Sequence, residues 1–149
     1  MGKDLMDIYN TTVLDPDLIR SYLETEYHVL VRLPFILSIG KLSNDLSSLH
    51  SAYGVSCSAF ITAWNPYSEV TDQATNIERQ GQLANELSVA GCTSIPSLGK
   101  HPSGNWEGEE SLLVLGISLT AAQSIGRSWG QNAILCSGAD SIPHLILLR

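Results

Sequence analysis

The chain contains the stretch Ser58-Ala59-Phe60-Ile61-Thr62-Ala63-Trp64-Asn65-Pro66, in which an apolar run leads directly into a tryptophan-asparagine-proline turn. A short apolar run that ends at turn residues is typical of a buried strand, so 55–63 is predicted to be one. A second polar segment, Gly130-Gln131-Asn132-Ala133, reverses this order, because its two carboxamides precede the apolar run 133–136. Both segments therefore place carboxamide side chains at the ends of predicted strands.

Cap residues and periodic apolar positions divide the rest of the chain into short elements. Helix-start signals, such as Asp15 followed by Pro16 at the first helical position, predict four helices. The predicted helices cover 15–25, 43–54, 71–90 and 118–129. Apolar and alternating runs predict strands at 28–33, 35–39, 55–63, 112–117, 133–136 and 143–147. Residues 99–108 are predicted to form a long polar loop.

This order of elements predicts an α+β fold, or an α/β layered domain, with helices packed on one mixed sheet. The chain has 149 residues, which is enough to build a sizeable core. No internal repeat or low-complexity linker divides it. We therefore expect a single domain over 1–149, with residues 1–14 as a flexible N-terminal segment.

Composition excludes several classes of protein. The net charge is −7 and the eight basic residues are scattered, whereas sequence-independent binding to nucleic acid needs clustered Lys and Arg. No apolar run approaches the roughly 20 residues that span a bilayer, and the acidic N-terminus is unlike a signal peptide. The three cysteines, Cys57, Cys92 and Cys136, fit neither a disulfide framework nor a zinc-binding spacing. We expect a cytoplasmic protein with no metal, no cofactor, and no membrane or nucleic-acid partner.

The tryptophan-asparagine-proline turn has two interpretations. In a binding site, Trp64 would stack on a planar ligand, and the carboxamide of Asn65 would both donate and accept hydrogen bonds. In a purely structural turn, Asn65 would bridge backbone groups while Pro66 fixes the direction of the chain. Asn76, near the start of the following helix, either points back toward this turn or is solvated.

The carboxamide pair at the second junction also has two interpretations. Gln131 and Asn132 can satisfy carbonyl groups at the end of the preceding helix, with Gly130 as a left-handed terminator. Alternatively, one of them converges with Asn65 on a ligand. That arrangement requires the two strand ends to be neighbours at one edge of the sheet.

A third cluster is the acidic segment Trp106-Glu107-Gly108-Glu109-Glu110-Ser111, with three acids before a predicted strand. Crowded carboxylates can include a general base or a metal ligand, and His101 is close in sequence. The simpler interpretation is that these acids are solvated, because their spacing matches no standard metal motif.

These segments together resemble a family of small bacterial proteins known only as a domain of unknown function. The resemblance spans residues 22–147 and implies a bacterial or phage origin, but it implies no activity. It rests on an ordered set of motifs, namely Thr62-Ala63-Trp64-Asn65-Pro66, Asn76, Trp106-Glu107, the segment 111–116 and Gly130-Gln131-Asn132-Ala133.

The sequence therefore predicts a protein that binds a small polar or planar ligand in a pocket between these segments. The predicted ligand-binding residues are Trp64, Asn65, Trp106, Glu107, Glu110, Gln131 and Asn132. No catalytic residue is assigned; in a catalytic pocket, Glu107 or Glu110 would be the best candidate acid or base. The alternative is a non-enzymatic interaction or inhibitor protein, monomeric or homodimeric, in which 143–148 is an edge strand open to pairing.

Overall fold

Within residues 12–104 and 108–149, which the computed structural model describes, the chain folds around a seven-stranded sheet with four helices. The helices are α1 (Pro16–Glu24), α2 (Asn44–Ala52), α3 (Gln73–Val89) and α4 (Leu119–Ser128). A short 3₁₀ turn covers Pro66–Ser68. The strands are β1 (Glu26–Val29), β2 (Phe35–Leu37), β3 (Ser58–Ile61), β4 (Thr93–Lys100), β5 (Glu109–Leu115), β6 (Ala133–Ser137) and β7 (His144–Leu147).

Each of the four helices begins at a polar residue whose side chain caps it. The cap oxygen accepts a hydrogen bond from one of the first amides, which a helix otherwise leaves unpaired. These caps fall at or next to the starts predicted from the sequence. They are Asp15, Ser43, Asp72 and Ser118.

The strand order is β2-β1-β4-β5-β3-β6-β7, and every neighbouring pair is antiparallel. The predicted α+β class is confirmed, but the sheet is antiparallel rather than mixed. The reason is that the helical connections are interleaved. Helix α3 joins β3 to β4, which run in the same direction but are separated by β5. Helix α4 joins β5 to β6, which are separated by β3 in the same way.

Strand β4 was not predicted, and it takes the first part of the predicted loop 99–108. Its sequence contains Pro96, and proline is normally excluded from central strands because it lacks an amide hydrogen. The carbonyl of Pro96 accepts the amide of Leu30 at 3.1 Å, just beyond the end of β1 at Val29. The amide and the carbonyl of one residue point to the same side of an antiparallel strand. The hydrogen that Pro96 lacks would therefore point toward β1, and the hydrogen bonds between β4 and β5 are unaffected.

The core lies on both faces of the sheet. Helices α3 and α4 pack on one face, where Leu83, Leu87 and Ala122 join a cluster with apolar side chains of β3, β5 and β6. On the other face, Leu46 of α2 packs in a second cluster that includes Phe60 of β3. The alternation of side chains along β3 therefore sends neighbouring residues into different clusters.

The sheet edges and the chain ends bear on two of the predictions. Strands β2 and β7 are the edges, so the C-terminal apolar segment does lie at an edge. Most of the segment 1–14, predicted as flexible, lies outside the described residues. None of the helices in the described ranges is both long enough and apolar enough to cross a membrane.

Two helical glycines provide a matched test of how closely α4 packs on the sheet. At Gly126 in α4, a Cβ atom would lie 2.6 Å from Leu148 Cδ1 and 3.0 Å from Ile134 Cγ2, whereas the space at Gly81 in α3 is open. We expect G126A to lower the free energy of unfolding by about 1–3 kcal/mol through overpacking. We expect G81A to raise it by about 0.5–1 kcal/mol through helix propensity. Denaturant titration measures both, and a gain in both variants would contradict the close packing of α4.

Candidate functional site

A cavity of about 240 Å³ lies between α1 and the sheet, on the face opposite α3 and α4. Helix α1 forms one wall through Leu18, Ser21 and Tyr22. Strands β1, β3, β5, β6 and β7 supply the floor, which includes Tyr27, Phe60, Glu109, Ser111, Leu135 and Leu145. We call this space the α1 cavity. It brings together residues that are distant in sequence because the strands interleave.

The turn after β3 forms part of the rim of the α1 cavity and is conformationally unusual. Asn65, Tyr67 and Ser68 have positive φ angles of 44°, 57° and 60°. Non-glycine residues in this left-handed region cost on the order of 1–3 kcal/mol each, and they persist only where surrounding contacts hold them. One such contact is the hydrogen bond from the Tyr67 amide to the Gly130 carbonyl, at 2.7 Å. The turn is thereby tied to the junction between α4 and β6.

A pair of carboxamides fixes the same turn to α3. The buried Asn76 accepts the Asn65 amide at Oδ1, at 2.9 Å, and its Nδ2 donates to Asn65 Oδ1 at 2.9 Å and to the Thr71 carbonyl at 3.1 Å. Asn65 Oδ1 also accepts the Thr71 amide at 3.0 Å. These contacts determine which end of the Asn65 carboxamide is the donor. Its Nδ2 therefore faces Glu109 and donates to Oε1 at 2.9 Å.

Glu109 is the charged residue of the α1 cavity lining in the described part of the chain. Burial raises the pKa of its carboxyl group, and the hydrogen bond from Asn65 offsets part of that rise. The ion pairs found among the described residues do not involve it. Partial burial of a carboxylate without a cation is unfavourable. Acids with a pKa raised in this way are often found at functional sites.

Aromatic side chains line the same cavity as this carboxylate. The rings of Tyr27 and Phe60 pack edge to face, with centroids 5.2 Å apart. The Tyr27 hydroxyl donates to the Tyr22 carbonyl at 2.6 Å. Burial raises the pKa of both tyrosines, and the nearby Glu109 adds to this, so both phenols are neutral at neutral pH. The cavity therefore combines apolar ring surface with neutral hydroxyl groups and one carboxyl group.

A second, more open cavity of about 500 Å³ adjoins the first. Trp64, Asn65 and Glu109 line both spaces, so they form the boundary between them. The indole Nε1 of Trp64 is buried and has no hydrogen-bond partner among the described residues. The boundary thus contains an indole donor without a partner and a carboxylate without an ion-pair partner among the described residues.

Three of the residues predicted from sequence line the α1 cavity, namely Trp64, Asn65 and Gln131. They meet because the end of β3 lies beside the start of β6 in the antiparallel pair. Gln131 Nε2 donates to the carbonyls of Trp64, at 3.3 Å, and of Trp129, at 3.4 Å. Gln131 therefore satisfies a carbonyl at the end of α4, as the structural interpretation expects, while lying at the cavity.

Of the other four predicted residues, Asn132 and Glu110 are not in the lining. Asn132 is buried next to it, where its Nδ2 donates to Ser68 Oγ at 3.0 Å. The side chain of Glu110 is exposed, and its carbonyl accepts the Thr62 hydroxyl at 2.6 Å. Trp106 and Glu107 lie outside the described residues.

The sequence prediction selects Glu107 and Glu110 from the acidic cluster, whereas Glu109 of the same cluster lines the cavity. Successive side chains of β5 alternate between the faces of the sheet, so Glu109 and Ser111 face the α1 cavity and Glu110 faces the other side. The strand was predicted to begin only at Leu112, and the run 112–115 is apolar at every position. Polar and apolar residues do not alternate along such a run. The sequence therefore does not indicate which face of the sheet Glu109 and Glu110 occupy.

The arrangement can bind a polar group and can take up a proton. Glu109 accepts hydrogen bonds or a proton, while the Tyr22 hydroxyl in the same lining shares a hydrogen bond with Ser68 Oγ at 2.7 Å. Across 12–104 and 108–149, no group of three or more His, Cys, Asp or Glu side chains is placed to hold a metal ion.

Residues 61–134 match the model of a family described as Protein of unknown function (DUF3293). The resemblance to a family of unknown function is therefore confirmed for this segment. The segment runs from the last residue of β3 into β6. A search of curated proteins and a search of solved structures gave no match.

Asn76→Ala tests whether the carboxamide pair holds the turn. The change removes three hydrogen bonds and leaves the partly buried amide of Asn65 without its partner. We expect a loss of about 1–3 kcal/mol in the free energy of unfolding. The control is Asn85→Ala on the exposed side of the same helix, which should change stability by no more than about 0.5 kcal/mol. Equal effects in urea titrations would contradict the structural role of Asn76.

Glu109→Gln tests whether the charge of this partly buried carboxylate lowers the stability of the fold. Burial raises the pKa of Glu109 above its ordinary value of 4.5, so the folded state binds this proton more tightly than the unfolded chain does. The stability contributed by this proton is complete below about pH 4.5 and is lost as the pH rises through the raised pKa. Glutamine keeps an oxygen for Asn65 but carries no charge.

We therefore expect E109Q to unfold at a higher temperature than the wild-type protein at about pH 7. The difference should shrink as the pH approaches about 4. The exposed neighbour provides the control, since E110Q should differ little from wild type at either pH. Thermal unfolding followed by circular dichroism measures all three proteins, and a lower melting temperature for E109Q at neutral pH would contradict this account.

Proposed function

We propose that the protein binds a small organic molecule in the α1 cavity. An apolar or planar part of the ligand would contact Tyr27, Phe60 and Trp64, and a polar group would bind at Glu109. The observation that carries this proposal is the coincidence of a cavity of about 240 Å³ with a partly buried carboxylate that has no cationic partner among the described residues. Ligand pockets typically combine an apolar lining with a few convergent polar groups.

The unfavourable features of the fold support the same location. The turn from Asn65 to Ser68 holds three non-glycine residues with positive φ, and the adjoining boundary contains the unpaired indole of Trp64. Backbone strain and unsatisfied polar groups reduce stability, and they are concentrated where a protein binds or reacts. A ligand that donates to the free oxygen of Glu109 would recover part of this stability.

The size of the cavity limits the ligand. Pockets for drug-sized molecules are about 300–1,000 Å³, whereas the α1 cavity has about 240 Å³. One ring with a short substituent is therefore the appropriate scale. A larger molecule would have to extend past the boundary at Trp64 into the second cavity.

Ligand-detected NMR with a library of single-ring fragments tests the proposal. Ala133 lies in the lining, so Ala133→Leu should fill the cavity and weaken the binding of hits at least about tenfold. Ala121→Leu, at an exposed position of α4, is the matched control and should leave binding unchanged. Hits that bind A133L as well as wild type, or a screen without hits, would overturn the proposal.

A further inference from the structure

The charge of the α1 cavity indicates which class of small molecule it takes. The described residues of the lining include no Lys, Arg or His, and Glu109 is the ionisable acid among them. Its Oε1 accepts the hydrogen bond from Asn65, whereas Oε2 has no hydrogen-bond partner among the described residues. One oxygen of a largely buried carboxylate thus remains free for a ligand at the cavity.

The three charge classes of ligand would differ in how they meet this oxygen. An anion would be repelled by the ionised carboxylate, and a neutral apolar molecule would bury it without a partner. A cation would supply the missing charge and a donor, and hydrogen bonds between two charged groups are stronger than those between neutral groups.

The aromatic lining favours the same class. Tyr22, Tyr27, Phe60 and Trp64 all line the cavity, and the faces of aromatic rings attract cations through their electrostatic quadrupole. Tyr22 and Tyr27 stay protonated, because burial raises their pKa, so they add no second negative charge. The rings also accept the apolar part of an organic ligand.

We propose that the ligand is a small organic cation, an ammonium or amidinium group on a single-ring apolar body, with the charged group bound to Glu109. This inference rests on the proposed function, since it requires the α1 cavity to be the ligand site. It goes further, because it assigns a positive charge to the ligand and names the Glu109 carboxylate as the group that binds this charge.

Three probes with the same ring and similar size separate the charge classes. They are 2-phenylethylamine, 2-phenylethanol and phenylacetate, titrated at about pH 7 with affinity measured by NMR. We expect the amine to bind at least about tenfold more tightly than the alcohol, and the carboxylate to bind more weakly than either. Affinity for the amine should fall as the pH drops through the pKa of Glu109, whereas affinity for the alcohol should not.

Two isosteric variants assign the effect to one carboxylate. In E109Q the preference for the amine over the alcohol should fall below about twofold, while E110Q should keep the wild-type preference. Equal binding of amine and alcohol, or a preference that survives E109Q, would overturn the inference.

The fragment screen distinguishes this failure from failure of the proposed function. If cavity-binding hits are mainly neutral or anionic, the cavity is a ligand site but the cation assignment is wrong. If none of the three probes binds but the cavity-binding hits are amines, the cation assignment is supported, and the apolar body of the ligand differs from a phenyl ring. If no fragment binds in the cavity, the proposed function fails, and the cation assignment fails with it.

Discussion

The reciprocal hydrogen bonds between Asn65 and Asn76 are the constraint on which the site depends. Asn76 is 1% exposed, and its carboxamide binds both the backbone and the side chain of Asn65. This holds the turn after β3 in a left-handed conformation and orients the Asn65 amino group toward Glu109. A buried helix residue thus positions a carboxylate on the opposite face of the sheet through one intermediate side chain. Fully satisfied polar networks of this kind specify one geometry, because any rearrangement leaves buried groups unpaired.

Interleaved strands explain why the α1 cavity lies where it does. The end of β3 lies between the starts of β5 and β6, since both neighbours are antiparallel to it. The turn of Asn65, the carboxylate of Glu109 and the carboxamide of Gln131 therefore meet at one end of the sheet. All three belong to the segment 61–134 that matches the family. Helix α1, which provides the opposite wall, lies outside that segment, so the matched part contributes the polar groups while Tyr22 and Leu18 close the space.

Part of the site could be predicted because carboxamides and turn residues mark strand ends whatever the strand order. The convergence of Trp64, Asn65 and Gln131 depended further on β3 and β6 being neighbours. That pairing is a long-range contact, and local sequence signals do not encode it. The choice between Glu109 and Glu110 depended on the face that each residue occupies, and a shift of one residue exchanges the two faces. An apolar run buried on both sides, such as 112–115, gives no indication of that choice.

The sequence by itself determined the α+β class, the four helix starts and the position of the polar junctions. These features depend on interactions within a few residues, such as the capping of an amide by Asp72 or Ser118. Only the tertiary structure decided the strand order, the presence of β4 and the burial of Glu109. Pro96 is tolerated in β4 because β1 ends where its missing amide would point. Likewise, Glu109 is partly buried in a cavity whose opposite wall is α1. Both outcomes depend on which distant segment becomes the neighbour, and that is decided when the whole chain packs into one core.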